Sequence, residues 1–84
     1  MITILPHSKH IIQKAIKYGI EKKFLKQCTY LAQNFQHPSL HTELLEPKTH
    51  GIYSFRIDQK YRTLFFFRKD KSVIEILAIT VHYR

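Results

Sequence analysis

The stretch Gly51–Arg84 reads GIYSFRIDQK YRTLFFFRKD KSVIEILAIT VHYR, and its punctuation decides the fold. Three β-prone runs, Ile52–Ile57, Tyr61–Phe67 and Val73–Val81, are separated by short polar breaks at Asp58-Gln59-Lys60 and Lys69-Asp70-Lys71. Connections this short join antiparallel neighbours, because a parallel pair needs a crossover of about a dozen residues. The segment is therefore predicted to form a three-stranded antiparallel meander. Arg56 and Arg62 stand in strands that otherwise read apolar, and His82-Tyr83-Arg84 follows the last run. Such an arginine either faces solvent or lines a phosphate site.

Register decides whether these side chains meet. With Asp58-Gln59-Lys60 as a three-residue loop, Ile57 pairs with Tyr61 and Arg56 with Arg62, and paired residues project to one face. A two-residue loop would send Arg62 to the opposite face. A three-residue turn at Lys69-Asp70-Lys71 would set Ala78 beside Arg62, with His82 further along the same face. The run Leu64-Phe65-Phe66-Phe67 is apolar on both faces, and helices can cover only one of them. The other face is expected to hold a cleft or to receive a partner.

The first half reads as a short strand and two helices. Ile2 to Leu5 is β-prone and stops at Pro6. Ser8 is a capping residue, and Ile11, Ile12, Ala15 and Ile16 form an apolar stripe behind it. Gly19 suits a helix stop. A second helix places Phe24, Leu25, Cys28, Leu31, Ala32 and Phe35 on one face. Ile12, Ile16, Phe24, Cys28, Leu31 and Phe35 are expected to pack on the sheet, with lysines outward. The segment from Gln36 to Gly51 reads as loop, punctuated by Pro38, Pro47 and Gly51.

The 84 residues make one small domain, 1–84, with 44% hydrophobic and 13% aromatic residues, enough for a packed core. No apolar run reaches the ~18 residues of a membrane span, and no secretory leader is expected. The single cysteine, Cys28, reads as a core residue and fits a reducing, cytoplasmic setting. The net charge is +8, which favours a polyanion or an acidic protein as partner. The basic residues divide by type. Lys9, Lys14, Lys17, Lys22, Lys23 and Lys26 lie in the first half, and Arg56, Arg62, Arg68 and Arg84 all lie later. Lysine attracts at long range, whereas the planar arginine fork suits bidentate phosphate contact.

His7 and His10, and His37 and His41, have helical spacings, but neither pair has the further ligands of a zinc site, and Pro38 interrupts the second. Surface or turn histidines are the reading, with no metal and no cofactor expected. There is no glycine-rich phosphate loop, GxSxG or CxxC.

The order strand, helix hairpin, loop with HPSL, then YSFRIDQKYRTLFFF and AITVHYR resembles the RelE/ParE superfamily of bacterial toxins from toxin–antitoxin pairs. The strongest pieces are Tyr53-Ser54-Phe55-Arg56-Ile57 followed by Tyr61-Arg62, and the ending His82-Tyr83, which is similar to that of the YoeB branch. The resemblance implies an α+β fold with both helices on one face of the sheet. It implies ribosome-dependent cleavage of mRNA for many members and gyrase inhibition for others. It implies an acidic antitoxin encoded by the adjacent gene, and a homodimer or toxin–antitoxin hetero-oligomer. Arg62 matches the arginine that stabilises the transferred phosphate, and Arg56 a basic position on the preceding strand. His82 and Tyr83 match acid and stacking positions, and Arg84 a terminal basic residue. Glu43 lies near the carboxylate position of the YoeB branch, with Glu46 as its rival. The chain departs from RelE in carrying Ser54 and Arg56 where RelE has two lysines.

The chemistry asks for these residue types. Cleavage of RNA by its own 2′-hydroxyl needs a base for the 2′ proton, positive charge at the phosphorane-like transition state and an acid for the leaving 5′ oxygen. Glu43, Arg62 and His82 or Tyr83 can fill these roles without a metal. Lys14, Lys17, Lys22, Lys23, Lys26, Lys60 and Arg84 are the expected RNA contacts. Other readings are a gyrase-blocking toxin of the same fold, or a basic RNA- or protein-binding module whose catalytic set has decayed. Arg62 and His82 are expected to lie outside the apolar core, so that their removal leaves the fold intact.

Overall fold

The computed structural model describes residues 2–69 and 71–81. The elements run β1 (Thr3–Ile4), α1 (Lys9–Lys17), α2 (Glu21–Gln33), a 3₁₀ turn at Pro38–Leu40, β2 (Glu43–Leu44), a second 3₁₀ turn at Lys48–His50, β3 (Tyr53–Arg56), β4 (Tyr61–Lys69) and β5 (Val73–Val81). All strands join one sheet in the order β1-β5-β4-β3-β2. Among the described residues only β1 against β5 is parallel. The meander stands as expected, with β3 shorter than its apolar run and β4 continuing to Lys69. β2 is an addition inside the segment read as loop: Glu43 pairs with Ser54 and Leu44 with Tyr53.

Local chemistry fixes the helix hairpin. Ser8 caps α1, its Oγ accepting from the Ile11 N–H at 3.3 Å. At the other end Gly19, at φ 68°, ends α1 in the left-handed region. The Gly19 N–H donates to Ile16 C=O and the Ile20 N–H to Ala15 C=O, the paired bonds of a Schellman stop. Ile20 is then buried as the chain turns into α2.

The helices cover one face of the sheet. Ile11 and Ala15 of α1 and Phe24, Cys28 and Leu31 of α2 are buried with Phe55, Phe65, Ile74 and Ile79 of the strands. The Phe55 ring sits 6.5 Å from Phe24 and 5.9 Å from Phe65, joining the two layers. Ile12 and Phe35 pack at the edge of this core. Ile16 is a correction: it is 56% exposed. The buried stripe of α1 is centred on Ile11 and Ala15, four residues apart, and Ile16 lies about 100° round the helix from Ala15.

The β3–β4 register is that of the three-residue loop, with Arg56 opposite Arg62. Asp58 closes the loop: its Oδ1 accepts from the Lys60 N–H at 2.8 Å and the Tyr61 N–H at 2.9 Å. Burial pushes the Asp58 carboxyl up. The N–H donors of Tyr61 and Lys60 and the Lys23 ammonium, 3.5 Å away, outweigh it, and the net shift is downward. The β4–β5 register corrects the expectation. Arg62 lies opposite Thr80, and Ala78 opposite Leu64. The strand runs on to Lys69 before it turns, and Lys71 takes a left-handed φ of 58°. The slide is by two residues, so Ala78 and Thr80 stay on the face of Arg62. A bulge at Leu77 lies further along, where Leu64 pairs with Ala78 but Phe65 with Ile76.

Candidate active site on the open face of the sheet

The face away from the helices carries Ser54 and Arg56 of β3, Arg62, Leu64 and Phe66 of β4, and Ala78 and Thr80 of β5, as their pairing requires. Glu43 of β2 joins this face opposite Ser54. Arg62 stands at the centre. It is only 6% exposed, although no helix covers it. Its Nε donates to Ser54 Oγ at 3.1 Å and its Nη2 to the His41 carbonyl at 2.7 Å. Arg62 lies outside the apolar core, as expected, and is nevertheless buried: the guanidinium is enclosed by a strand neighbour and by a loop. Burial lowers its pKa, Glu43 raises it and Arg56 lowers it again. An arginine stays protonated under all of these influences.

Two guanidiniums and one carboxylate thus converge on a strip of sheet. Arg56 is half-buried beside Arg62, and Glu43 is exposed above Ser54. Of the two rival carboxylates, Glu43 acts on the Arg62 charge, whereas Glu46 lies in the exposed segment after β2. The strip offers fixed positive charge, a carboxylate able to take a proton and a face open for a substrate. His82, Tyr83 and Arg84 lie outside the described residues.

Sequence reasoning missed the device that encloses Arg62. After α2 the chain passes through Pro38–Leu40 to His41, which takes a left-handed φ of 46° and presents its carbonyl to Arg62. Leu40 anchors this turn in the core. Gln27, buried on α2, donates from Nε2 to Ser39 C=O at 3.0 Å and to Arg56 C=O at 2.8 Å. The ring of His37 stacks on Tyr30 with centroids 4.1 Å apart, and its Nδ1 accepts from the Ser39 N–H. The one available signal was a glutamine within the apolar stripe of α2, at the position preceding Cys28.

The lysines divide by location. Lys17, Lys22, Lys23 and Lys26 are exposed on the helices, on the far side of the sheet from Arg62. Lys14 sits 5.9 Å over the ring of Tyr18, and Lys60, in the β3–β4 loop, 5.4 Å over that of Tyr61. These two rings stack at 4.6 Å, forming a cationic, aromatic end to the molecule. Among the described residues no group of three His, Cys, Asp or Glu side chains is placed to hold a metal ion. His7 instead packs on Phe24 at 5.0 Å, where burial lowers its pKa. Burial pushes the Cys28 thiol up to about 12, which leaves it protonated and unreactive.

This architecture, two helices packed on one face of a five-stranded sheet, matches the fold of solved YoeB/ParE toxins. The chain superposes on the YoeB/ParE toxin from Agrobacterium tumefaciens with a TM-score of 0.72 and 14% identity, covering 98% of each chain. The YoeB dimer of Staphylococcus aureus gives 0.70 at 22% identity, over 98% of this chain and 95% of that one. The YoeB–YefM complex of the same organism gives 0.70 at 19% identity over 99% of each. No family model and no curated protein matches the sequence.

Proposed function

We propose that this chain is the toxin of a toxin–antitoxin pair and that it is a metal-independent endoribonuclease acting on mRNA at the ribosome. The observation that carries this reading is the Arg62 guanidinium, held at two of its nitrogens on the open face of a YoeB-like fold, with Arg56 and Glu43 beside it. In the mechanism Glu43 takes the 2′ proton. Arg62 and Arg56 balance the charge that develops on the phosphorus oxygens, and His82 protonates the leaving 5′ oxygen, with Tyr83 stacking on a base. Because Arg62 is already bonded and desolvated, it needs little reorganisation as that charge appears. The exposed lysines and the net charge of +8 supply attraction to the ribosome that weakens as salt rises.

The partner in this reading is an acidic antitoxin that covers the open face, and the site of action is the cytoplasm. Leu64, Phe66 and Ala78 are only partly covered there. Without the partner, the chain is expected to self-associate through this face, and a monodisperse monomer in sedimentation would argue against it. The deciding experiment is induced expression followed by mapping of mRNA 5′ ends. New ends within coding regions, absent from Arg62→Ala and His82→Ala strains, are the expected result.

The burial of Arg62 favours one other reading. A guanidinium so enclosed can serve the sheet alone, as it would in a gyrase-blocking toxin of this fold. Intact mRNA together with blocked DNA supercoiling after induction would establish that reading instead.

A further inference from the structure

We infer that Gln27 is a positioning residue, which fixes from the helix layer the frame that aims the Arg62 guanidinium across the sheet. The inference rests on the reading of Arg62 as the arginine that stabilises the transferred phosphate.

The side chain of Gln27 is an amide in an apolar place. Gln27 is buried on α2 in company with Phe24, Cys28 and Leu31. A leucine there would suit the core better, so the amide has a polar task. Both bonds of its Nε2 go to main-chain oxygens, Ser39 C=O at 3.0 Å and Arg56 C=O at 2.8 Å. The opposite amide orientation would set Oε1 against two acceptors, so the donor assignment is forced. In this orientation Oε1 lies 3.4 Å from the Ser39 hydroxyl, which can donate to it.

Both carbonyls belong to the surroundings of Arg62. Ser39 lies in the 3₁₀ turn that His41 closes, the His41 N–H donating to Pro38 C=O. The left-handed His41 then turns its own carbonyl to Arg62 Nη2. Arg56 is the residue directly opposite Arg62 in the β3–β4 register. Its neighbour on the same face, Ser54, holds Arg62 Nε. One side chain thus ties together the turn and the strand that hold the two bonded nitrogens of the guanidinium. Catalytic geometry tolerates little slack: a displacement of ~1 Å can cost ~10²-fold in rate.

The test reads Arg62 directly. In the ¹⁵N-labelled protein, hydrogen exchange of the Arg62 Nε–H reports its bond to Ser54. Two variants are compared with the wild-type chain. Gln27→Leu removes the donors, and Gln27→Glu keeps the shape but cannot donate while ionised. Exchange at Arg62 is expected to rise about tenfold in both, the effect of loosening one ordinary hydrogen bond. The rate constant for RNA cleavage is expected to fall ~10²-fold with little change in KM. In Gln27→Glu, protection of Arg62 should return as acidification protonates the carboxyl and restores one donor. If Gln27→Leu does not fold, the pH series on Gln27→Glu still decides. Unchanged Arg62 exchange in a folded variant, whatever its melting temperature, overturns the inference and leaves Gln27 a structural residue. Failure of the nuclease reading looks different: the wild-type chain would cut no RNA while Arg62 still responded to residue 27.

Discussion

The two faces of β4 share one backbone and meet opposite fates. Tyr61, Thr63, Phe65 and Phe67 point under the helices, whereas Arg62, Leu64, Phe66 and Arg68 point to the open side. On the covered face, burial is achieved with apolar bulk, since Phe55, Phe65, Ile74 and Ile79 meet Phe24 and Leu31. On the open face Arg62 is nearly as buried as its covered neighbours, but by named hydrogen bonds to Ser54 and His41. One strand is thus closed by two unrelated means. The first tolerates any shape that fits. The second depends on particular partners and fails when one is removed.

The largest effect should come from the covered face. Phe65→Ala opens a cavity beneath Phe55 and Tyr53 and should cost about 3–5 kcal/mol, read as a lower urea midpoint with unchanged slope. That is a large fraction of the ~5–15 kcal/mol that holds a small domain together. On the open face, Arg62→Ala should separate two readouts. Activity should fall about 10²–10³-fold, and stability by about 1–3 kcal/mol as Ser54 and the His41 carbonyl lose their donor. An Arg62→Ala chain as stable as wild type would mean that hydrogen bonding does not close this face.

Thr63 sharpens the contrast from the other side. It is fully buried among apolar side chains, and its hydroxyl has no partner among the described residues. Thr63→Val should therefore raise stability by about 1–2 kcal/mol, by removing an unsatisfied group at constant shape, and leave the proposed RNA cleavage unchanged. The smallest effect belongs to Arg68→Ala. The bond from Arg68 to Glu75, 2.6 Å long, is largely exposed. Its loss should cost about 0.2–1 kcal/mol, fading as salt is added. A larger loss would show that the open face behaves as a second core.

Much of this was legible in the sequence, for reasons that lie in short-range chemistry. Asp58-Gln59-Lys60 defined the loop and with it the meeting of Arg56 and Arg62. Ser8 and Gly19 marked the limits of α1. What escaped depends on distant parts of the chain. β2 is two residues long and carries no periodicity, so only its pairing with Tyr53 and Ser54 makes it a strand. Ile16 and Ile12 read alike, and only the direction in which α1 docks decides that Ile16 faces out. The bulge at Leu77 has no glycine or other marker, and the two-residue slide between β4 and β5 shows in no single residue. The enclosure of Arg62 needs His41, Ser39 and Gln27, none of which belongs to a recognisable motif.

The parallel pairing of Thr3 with Val73 and Ile4 with Ile74 has a consequence in time. It joins strands nearly seventy residues apart, and β5 stands between β1 and β4. A ribosome extends a chain at ~5–20 residues per second. For the seconds before β5 emerges, β1 has no strand to pair with, β4 has only β3, and the core lacks Ile74 and Ile79. Contacts this distant in sequence form late, because the loop must close before they repay it. Folding is therefore held back until the meander is complete, and a chain stopped before Val73 should show no cooperative unfolding transition.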